Sequence, residues 1–410
     1  MNDYESRQYV TTQKLIMIYT HSSRLWTLLF TNAPDPDDVG RWTSQQFVFS
    51  ESQPVILKQI HGGPCGVLAP VQAFIVKELL FGHHPGVASV HALKQISHED
   101  AQDVLLGVLI SIMSRALISA EEPLVFLKLA ANHEFEVTDG FDVATMTVLD
   151  FLASVVASRG IDNVLADMDD IDNPFIGRFG HCSQEVLNLM LFGIASSNVF
   201  DREHPMGDTG MVLRGVPEDA CIEVGLLSEL EALRYVTVGS KFKKPDFPVW
   251  ILGTTSHYTV MFGFDKDATD LGQSDPIRAF VSSKMSDVQF DEGLMMADRV
   301  DDLLSSLGLT AEKATAQSAI VKEGIVILED VVTWARPFLS IKPEFTPSPP
   351  TTTRKELEMY LINTQIPQTI YKVLVSKTGV SATGGTDIGG NLGSILQTRW
   401  PGTHVSVSQA

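Results

Sequence analysis

The 410-residue chain has only three cysteines, Cys65, Cys182 and Cys221. An odd, sparse set without framework spacing excludes a disulfide scaffold and points to a reducing compartment. No cysteine pair has metal-ligand spacing, and the sequence contains neither a P-loop nor an HExxH motif, so phosphate and metalloprotease chemistry have no support. Basic residues are also scarce. Against 50 Asp+Glu stand 30 Lys+Arg, a formal charge of −20. That balance argues against nucleic acid or an anionic membrane as a partner, and suits a partner with basic residues. Long apolar runs are missing too: the most apolar, Val104 to Met113, is too short to span a bilayer. Met1 to Glu5 does not open a signal peptide. These absences predict a cytoplasmic and/or nuclear protein.

Candidate metal sites fail on inspection. His83-His84 has no third ligand nearby. Asp162 to Asp172 is read as a solvated acidic loop, and Asp265 onward has Asp270 where an EF-hand needs glycine and Pro276 where it needs glutamate. No metal or other cofactor is expected.

What the chain does have is Gln59-Ile60-His61-Gly62-Gly63-Pro64-Cys65, a polar, glycine-rich turn running into an apolar stretch from Val67 to Phe81. The pattern predicts a tight loop that delivers a thiol to the first turn of a buried helix. A helix N-terminus carries partial positive charge and free N–H groups, which favour thiolate over thiol. Gln59 supplies an amide able to donate into an oxyanion hole. The residue types alone leave two readings open, a nucleophilic cysteine or a buried structural one.

Further along, Pro248 to Leu252 and His257 to Phe262 read as a hairpin, with His257, Thr259 and Met261 on one face and Tyr258, Val260 and Phe262 on the other. A histidine opening the second strand can serve as a base, or as a hydrogen-bonded structural residue. Ser197, Asn198, Phe200 and Asp201 are polar enough as a stretch to line a cleft. Cys182 is expected in the first turn of a helix, without the glutamine or glycine pair that precedes Cys65.

Helices are expected at 14–30, 67–81, 98–118, 143–158 and 223–233, with 123–131 in the same style. Asn32 to Gly40 is expected as an acidic turn, Lys241, Lys243 and Lys244 as a solvated patch, and Glu358 to Ile362 and Thr369 to Val375 as strands.

Gly62-Gly63-Pro64-Cys65-Gly66 followed by Ala69-Pro70-Val71-Gln72-Ala73-Phe74 resembles the active-site signature of the MINDY cysteine deubiquitinases. Other segments resemble the family in order: Arg41-Trp42 with Phe47 to Glu51, Gly180-His181 with Ser183-Gln184, Ser197-Asn198-Val199, Glu231 to Tyr235, and Leu396 to Pro401. The last resembles the subfamily carrying an EF-hand-like insertion. The resemblance implies an α+β, papain-like fold, its nucleophile helix packed on an antiparallel sheet. The residues themselves predict a helical insertion at 265–340, EF-hand-like by the resemblance, and a Pro/Thr-rich loop at 341–355, which leaves a main catalytic part at 1–264 and a final one at 356–410. By position, Cys65 would be the nucleophile, His257 the general base and Gln59 the oxyanion-hole donor. The partners would be polyubiquitin, above all chains linked through ubiquitin's forty-eighth residue, and ubiquitinated proteins, with the enzyme a monomer. A ubiquitin-binding pseudo-enzyme and a protease for a ubiquitin-like modifier remain as alternatives.

Overall fold

The computed structural model describes residues 23–30, 33–82, 87–131, 133–206, 210–266, 276–288, 294–322, 324–342, 356–364, 368–376 and 392–410. His83-His84, most of the Pro/Thr-rich loop, the start of the insertion and most of the glycine-rich stretch before residue 392 lie outside them, as does the first part of the helix expected at 14–30, of which 23–29 is helical.

The fold is built around α2, Cys65–Phe81, preceded by the shorter α1, Pro36–Ser44. Helix α2 is apolar on nearly every side and buries Val67, Leu68, Val71, Phe74, Ile75, Val76 and Leu79. A helix without a polar face has to sit inside the molecule. It lies against α3, His98–Ala116, and α5, Gln184–Phe192, on one side and a six-stranded sheet on the other. Helix α4, Val148–Arg159, packs on α3 and closes this layer.

The sheet follows chain order: β1 Gly225–Ser228, β2 Val249–Gly253, β3 Tyr258–Phe262, β4 Glu356–Asn363, β5 Thr369–Ser376 and β6 His404–Gln409. Its pairs are antiparallel except β1 with β2, which run parallel, so the expectation of a wholly antiparallel sheet is corrected at one edge. The parallel pair is possible because the 20-odd residues between these strands cross over through two short helices. Alternation divides the strands between two cores. Ile251, Val260 and Phe262 face α2, while Trp250, Leu252 and Met261 pack with Trp400, whose ring meets that of Trp250 edge-on at 5.5 Å.

Residues 276–339 carry a core of their own, in which Val281, Leu303, Leu304, Ile320, Val326, Val331 and Leu339 are buried together. Among the described residues, four α-helices and three short strands enclose it.

Several local expectations are corrected. The acidic turn at 32–40 becomes the start of α1, because Asp35 caps it and Pro36 occupies its first position. The stretch 123–131 holds a strand, Phe126–Leu129, paired with Phe135–Thr138. Helix α4 begins only at Val148, where Thr147 and Asp150 form a capping box. The acidic loop at 162–172 starts as a helix, Ile161–Asp167, whose Asp167 takes Arg159 in a two-pronged ion pair. Residues 223–233 contain β1 before a short helix, Glu229–Ala232. Lys241 and Lys243 are not a solvated patch: the first donates to the Ala220 carbonyl and the second pairs with Glu231 at 2.6 Å.

Candidate active site

Cys65 is the first residue of α2 and only 3% exposed. Its turn is shaped by Gly63, whose φ of +118° is open to glycine and which lies so close to residue 180 that a Cβ there would stand 2.7 Å from the Gly180 carbonyl oxygen. That carbonyl is itself fixed, accepting from Trp42 Nε1 at 2.8 Å. Arg41 donates to the neighbouring Phe179 carbonyl at 2.9 Å. Phe179, at φ +64°, holds its ring 71% exposed on this rim, and Ile60 is 58% exposed on the other limb of the loop.

The segment entering the loop is clamped by two fully buried glutamines. Gln72, two turns along α2, accepts from Leu57 N at 2.8 Å and donates to Val55 O at 2.9 Å. Gln45, at the end of α1, donates to Lys58 O at 3.0 Å and accepts from Ile60 N at 2.9 Å. Its amide therefore grips the chain on both sides of Gln59. Gln59 donates through Nε2 to His61 O at 2.8 Å, and its buried Oε1 has no partner among the described residues.

His257 ends the turn between β2 and β3. Thr254 N and Oγ1 both donate to the His257 carbonyl, and Glu229 accepts from Thr255 N and Oγ1, so the turn is tied to the end of β1. The next residue, Tyr258, opens β3, the strand that packs on α2, and its ring lies 3.7 Å from where a Cβ on Gly66 would stand. The Nε2 of His257 is buried and without a hydrogen-bond partner among the described residues.

Burial dominates the electrostatics. It raises the Cys65 thiol above its ordinary value, against the opposing pull of backbone groups of Tyr258, Cys65, Gly66 and Gly63. The thiol donates to Gly63 O at 3.7 Å. Burial lowers His257, which keeps its imidazole neutral. The expectation of a depressed thiol at a helix end is thus corrected for this arrangement: desolvation outweighs the amide groups of the first turn.

Cys182 lies not in a helix's first turn but in a bridge with Ile176, ahead of α5. Its sulfur fills the space beside Gly66, and burial with the nearby Cys65 raises its thiol far above the ordinary range. The polar stretch 197–201 is occupied internally. Ser197 accepts from Asp169 N, Asn198 donates to Asp169 and Arg214, Phe200 is buried, and Asp201 accepts from Ser240. No cluster able to hold a metal ion occurs among the described residues.

Sequence reasoning did not find the clamp made by Gln45 and Gln72. Gln45 carries no signal in the sequence, and Gln72 stands there only within the stretch that resembles the family signature; the long-range pairing of α1 and α2 with 55–60 reveals their work.

Comparison with known proteins gives one consistent family. The model of the deubiquitinating enzyme MINDY-3/4 conserved domain matches residues 27–142 and 133–275. The ubiquitin carboxyl-terminal hydrolase MINDY-3 of Mus musculus is 32% identical over 326 residues, covering 66% of this chain and 70% of its own. The Homo sapiens protein of that name is 33% identical over 327 residues with the same shares. A probable MINDY-4 hydrolase of Xenopus tropicalis is 31% identical over 255 residues, or 54% of this chain and 33% of its own. No solved structure matches.

Proposed function

The chain belongs to the MINDY-3/4 family of deubiquitinating enzymes, and from that premise we propose that it is a cysteine deubiquitinase working through Cys65 and His257, with Gln59 as oxyanion donor. The observation that supports this reading is a thiol on the first residue of a buried helix that packs on the hairpin carrying His257. Helix α2 presents Cys65 and lies against β2 and β3, with His257 immediately before β3, and the Gly62-Gly63 loop links the thiol along the chain to Gln59.

In this mechanism His257 takes the Cys65 proton, and the thiolate attacks the carbonyl of ubiquitin's terminal glycine. The developing oxyanion is held by the Cys65 backbone N–H and the Gln59 amide, one such donor being typically worth about 3 kcal/mol of barrier. His257 then passes the proton to the departing lysine amine, and water hydrolyses the thioester. Ubiquitin's tail ends in two glycines, which suit a narrow approach, and the charge of −20 attracts its arginines.

The finer features belong to the same proposal: a papain-like arrangement of helix and sheet, an EF-hand-like insertion with its own core at 276–339 within the 265–340 segment, preference for forty-eight-linked chains, a monomeric state and a cytoplasmic or nuclear location. Ser197, Asn198, Phe200 and Asp201 are proposed as the substrate-binding stretch, Ser197, Asn198 and Asp201 being held in place by the internal bonds they make.

The buried thiol, raised by desolvation, and a Gln59 Nε2 already donated to His61 O support a resting site that substrate must open. Cleavage of linkage-defined polyubiquitin by wild type, Cys65→Ala and His257→Ala tests the proposal. Loss in both variants, with ubiquitin binding retained, is expected; cleavage by Cys65→Ala overturns it.

A further inference from the structure

We infer that Gln45 is a positioning residue for the oxyanion donor: it fixes the backbone on both sides of Gln59 so that only the Gln59 side chain moves between resting and reacting states. The inference rests on the reading of Gln59 as that donor.

Backbone bonds also hold this segment, Lys58 N to Val48 O at 2.7 Å and Gln59 N to Thr364 O at 3.4 Å, but the side-chain contacts to both peptides flanking Gln59 come from one residue. Gln45 is completely buried, and its single amide meets Lys58 O at 3.0 Å and Ile60 N at 2.9 Å, the two peptide groups that flank Gln59. Its Nε2 also reaches Gln46 O at 2.8 Å. Gln45 is anchored in turn, because Val148 N donates to its carbonyl at 2.8 Å and Gln46 bridges Thr147. The clamp therefore connects the donor's peptide to the start of α4. Nothing in these contacts touches substrate or sulfur.

An oxyanion donor is useful only if its N–H groups stand ready where charge develops, without reorganisation during the reaction. Gln59 cannot meet that need by its own contacts. Its amide is bonded to His61 O, within the loop that substrate has to displace. When that bond breaks, the peptides on either side of Gln59 keep the Gln45 amide as a side-chain restraint from outside the loop, alongside the backbone bonds of Lys58 N and Gln59 N. Gln72 holds 55–57 in the same manner but stops short of Gln59, so the two glutamines divide the task.

Because Gln45 acts through Gln59, removing it should cost activity only while Gln59 is present. The test is a double-mutant cycle of Gln45→Met, which keeps length and loses the hydrogen bonds, with Gln59→Ala. Single-turnover cleavage of linkage-defined polyubiquitin is measured across enzyme concentrations, giving a limiting rate and a half-saturating concentration. Gln59→Ala should lower the limiting rate about a hundredfold. Gln45→Met should lower it at least about tenfold, with the half-saturating concentration changed less than about twofold, and the double variant should match Gln59→Ala within about twofold.

If Gln45→Met does not fold, Gln45→Leu replaces it, since it too fills the site and loses both the donor to Lys58 O and the acceptor for Ile60 N. A limiting rate within about twofold of wild type overturns the inference, as does an undiminished further loss in the Gln59→Ala background. Full activity of Gln59→Ala overturns the oxyanion reading itself, and the inference with it.

Discussion

The sulfur of Cys182 occupies the place where a side chain on Gly66 would begin: a Cβ on Gly66 would lie 1.6 Å from it. The residue after the candidate nucleophile is therefore glycine for want of space, and the first turn of α2 is packed directly against the 180–182 segment. Gly66→Ala should displace that turn and cost about 1–3 kcal/mol through overpacking, with loss of cleavage. Because the obstructing atoms belong to Cys182, at 1.6 Å from Sγ and 3.1 Å from Cβ, the double variant Gly66→Ala/Cys182→Gly should recover melting temperature and activity. Thermal melting and chain cleavage of the four proteins check this; no recovery would contradict the steric account of Gly66, since the next neighbour, the Tyr258 ring, is at an ordinary contact distance of 3.7 Å.

Alkylation of Cys65 by iodoacetamide should be slow at neutral pH and accelerate late. Desolvation disfavours the thiolate, so the group ionises above the ordinary thiol value and the reactive fraction at neutral pH is smaller than for an unperturbed cysteine. Mass spectrometry of the modified protein against pH gives the midpoint. A midpoint below the ordinary value would mean that the resting thiol is not buried as described.

The pH profile of kcat/KM should lose activity on its acid side at lower pH than an ordinary histidine would dictate. Burial lowers His257, so its neutral, proton-accepting form persists below the unperturbed value of 6.5. An acid limb above 6.5 would contradict this assignment of the base.

Stability should depend on an ion pair far from the thiol. Arg159 and Asp167 are both largely buried and joined at 2.5 and 2.8 Å, linking the end of α4 to the following helix. Asp167→Ala leaves the guanidinium unpaired, at a cost of about 3–5 kcal/mol. Chemical denaturation should show that loss, while iodoacetamide reactivity of Cys65 stays as in wild type.

Much of this arrangement is legible in the sequence, for identifiable reasons. The run from Val67 to Phe81 has no polar face, so its burial follows from composition, and Cys65 at its start follows from the glycine-rich turn. The alternation of Tyr258, Val260 and Phe262 declares a strand, and that set does face α2. The strands expected at 358–362 and 369–375 fall within β4 and β5. Other elements are hidden because distant residues decide them. Asp35 to Asp38 suggest a turn until Asp35 is seen capping α1. Residues 225–228 look helical by composition, yet a neighbouring strand recruits them into the sheet. The thiol's electrostatics are hidden for the same reason: the helix end is visible in the sequence, whereas the burial that outweighs it is a property of the folded protein.

The most direct measurement uses ubiquitin bearing a C-terminal thiol-reactive warhead, with intact mass read for wild type, Cys65→Ala and Cys182→Ala. The account predicts one adduct on wild type and on Cys182→Ala, and none on Cys65→Ala. An adduct that persists in Cys65→Ala, or one that vanishes only in Cys182→Ala, would contradict it.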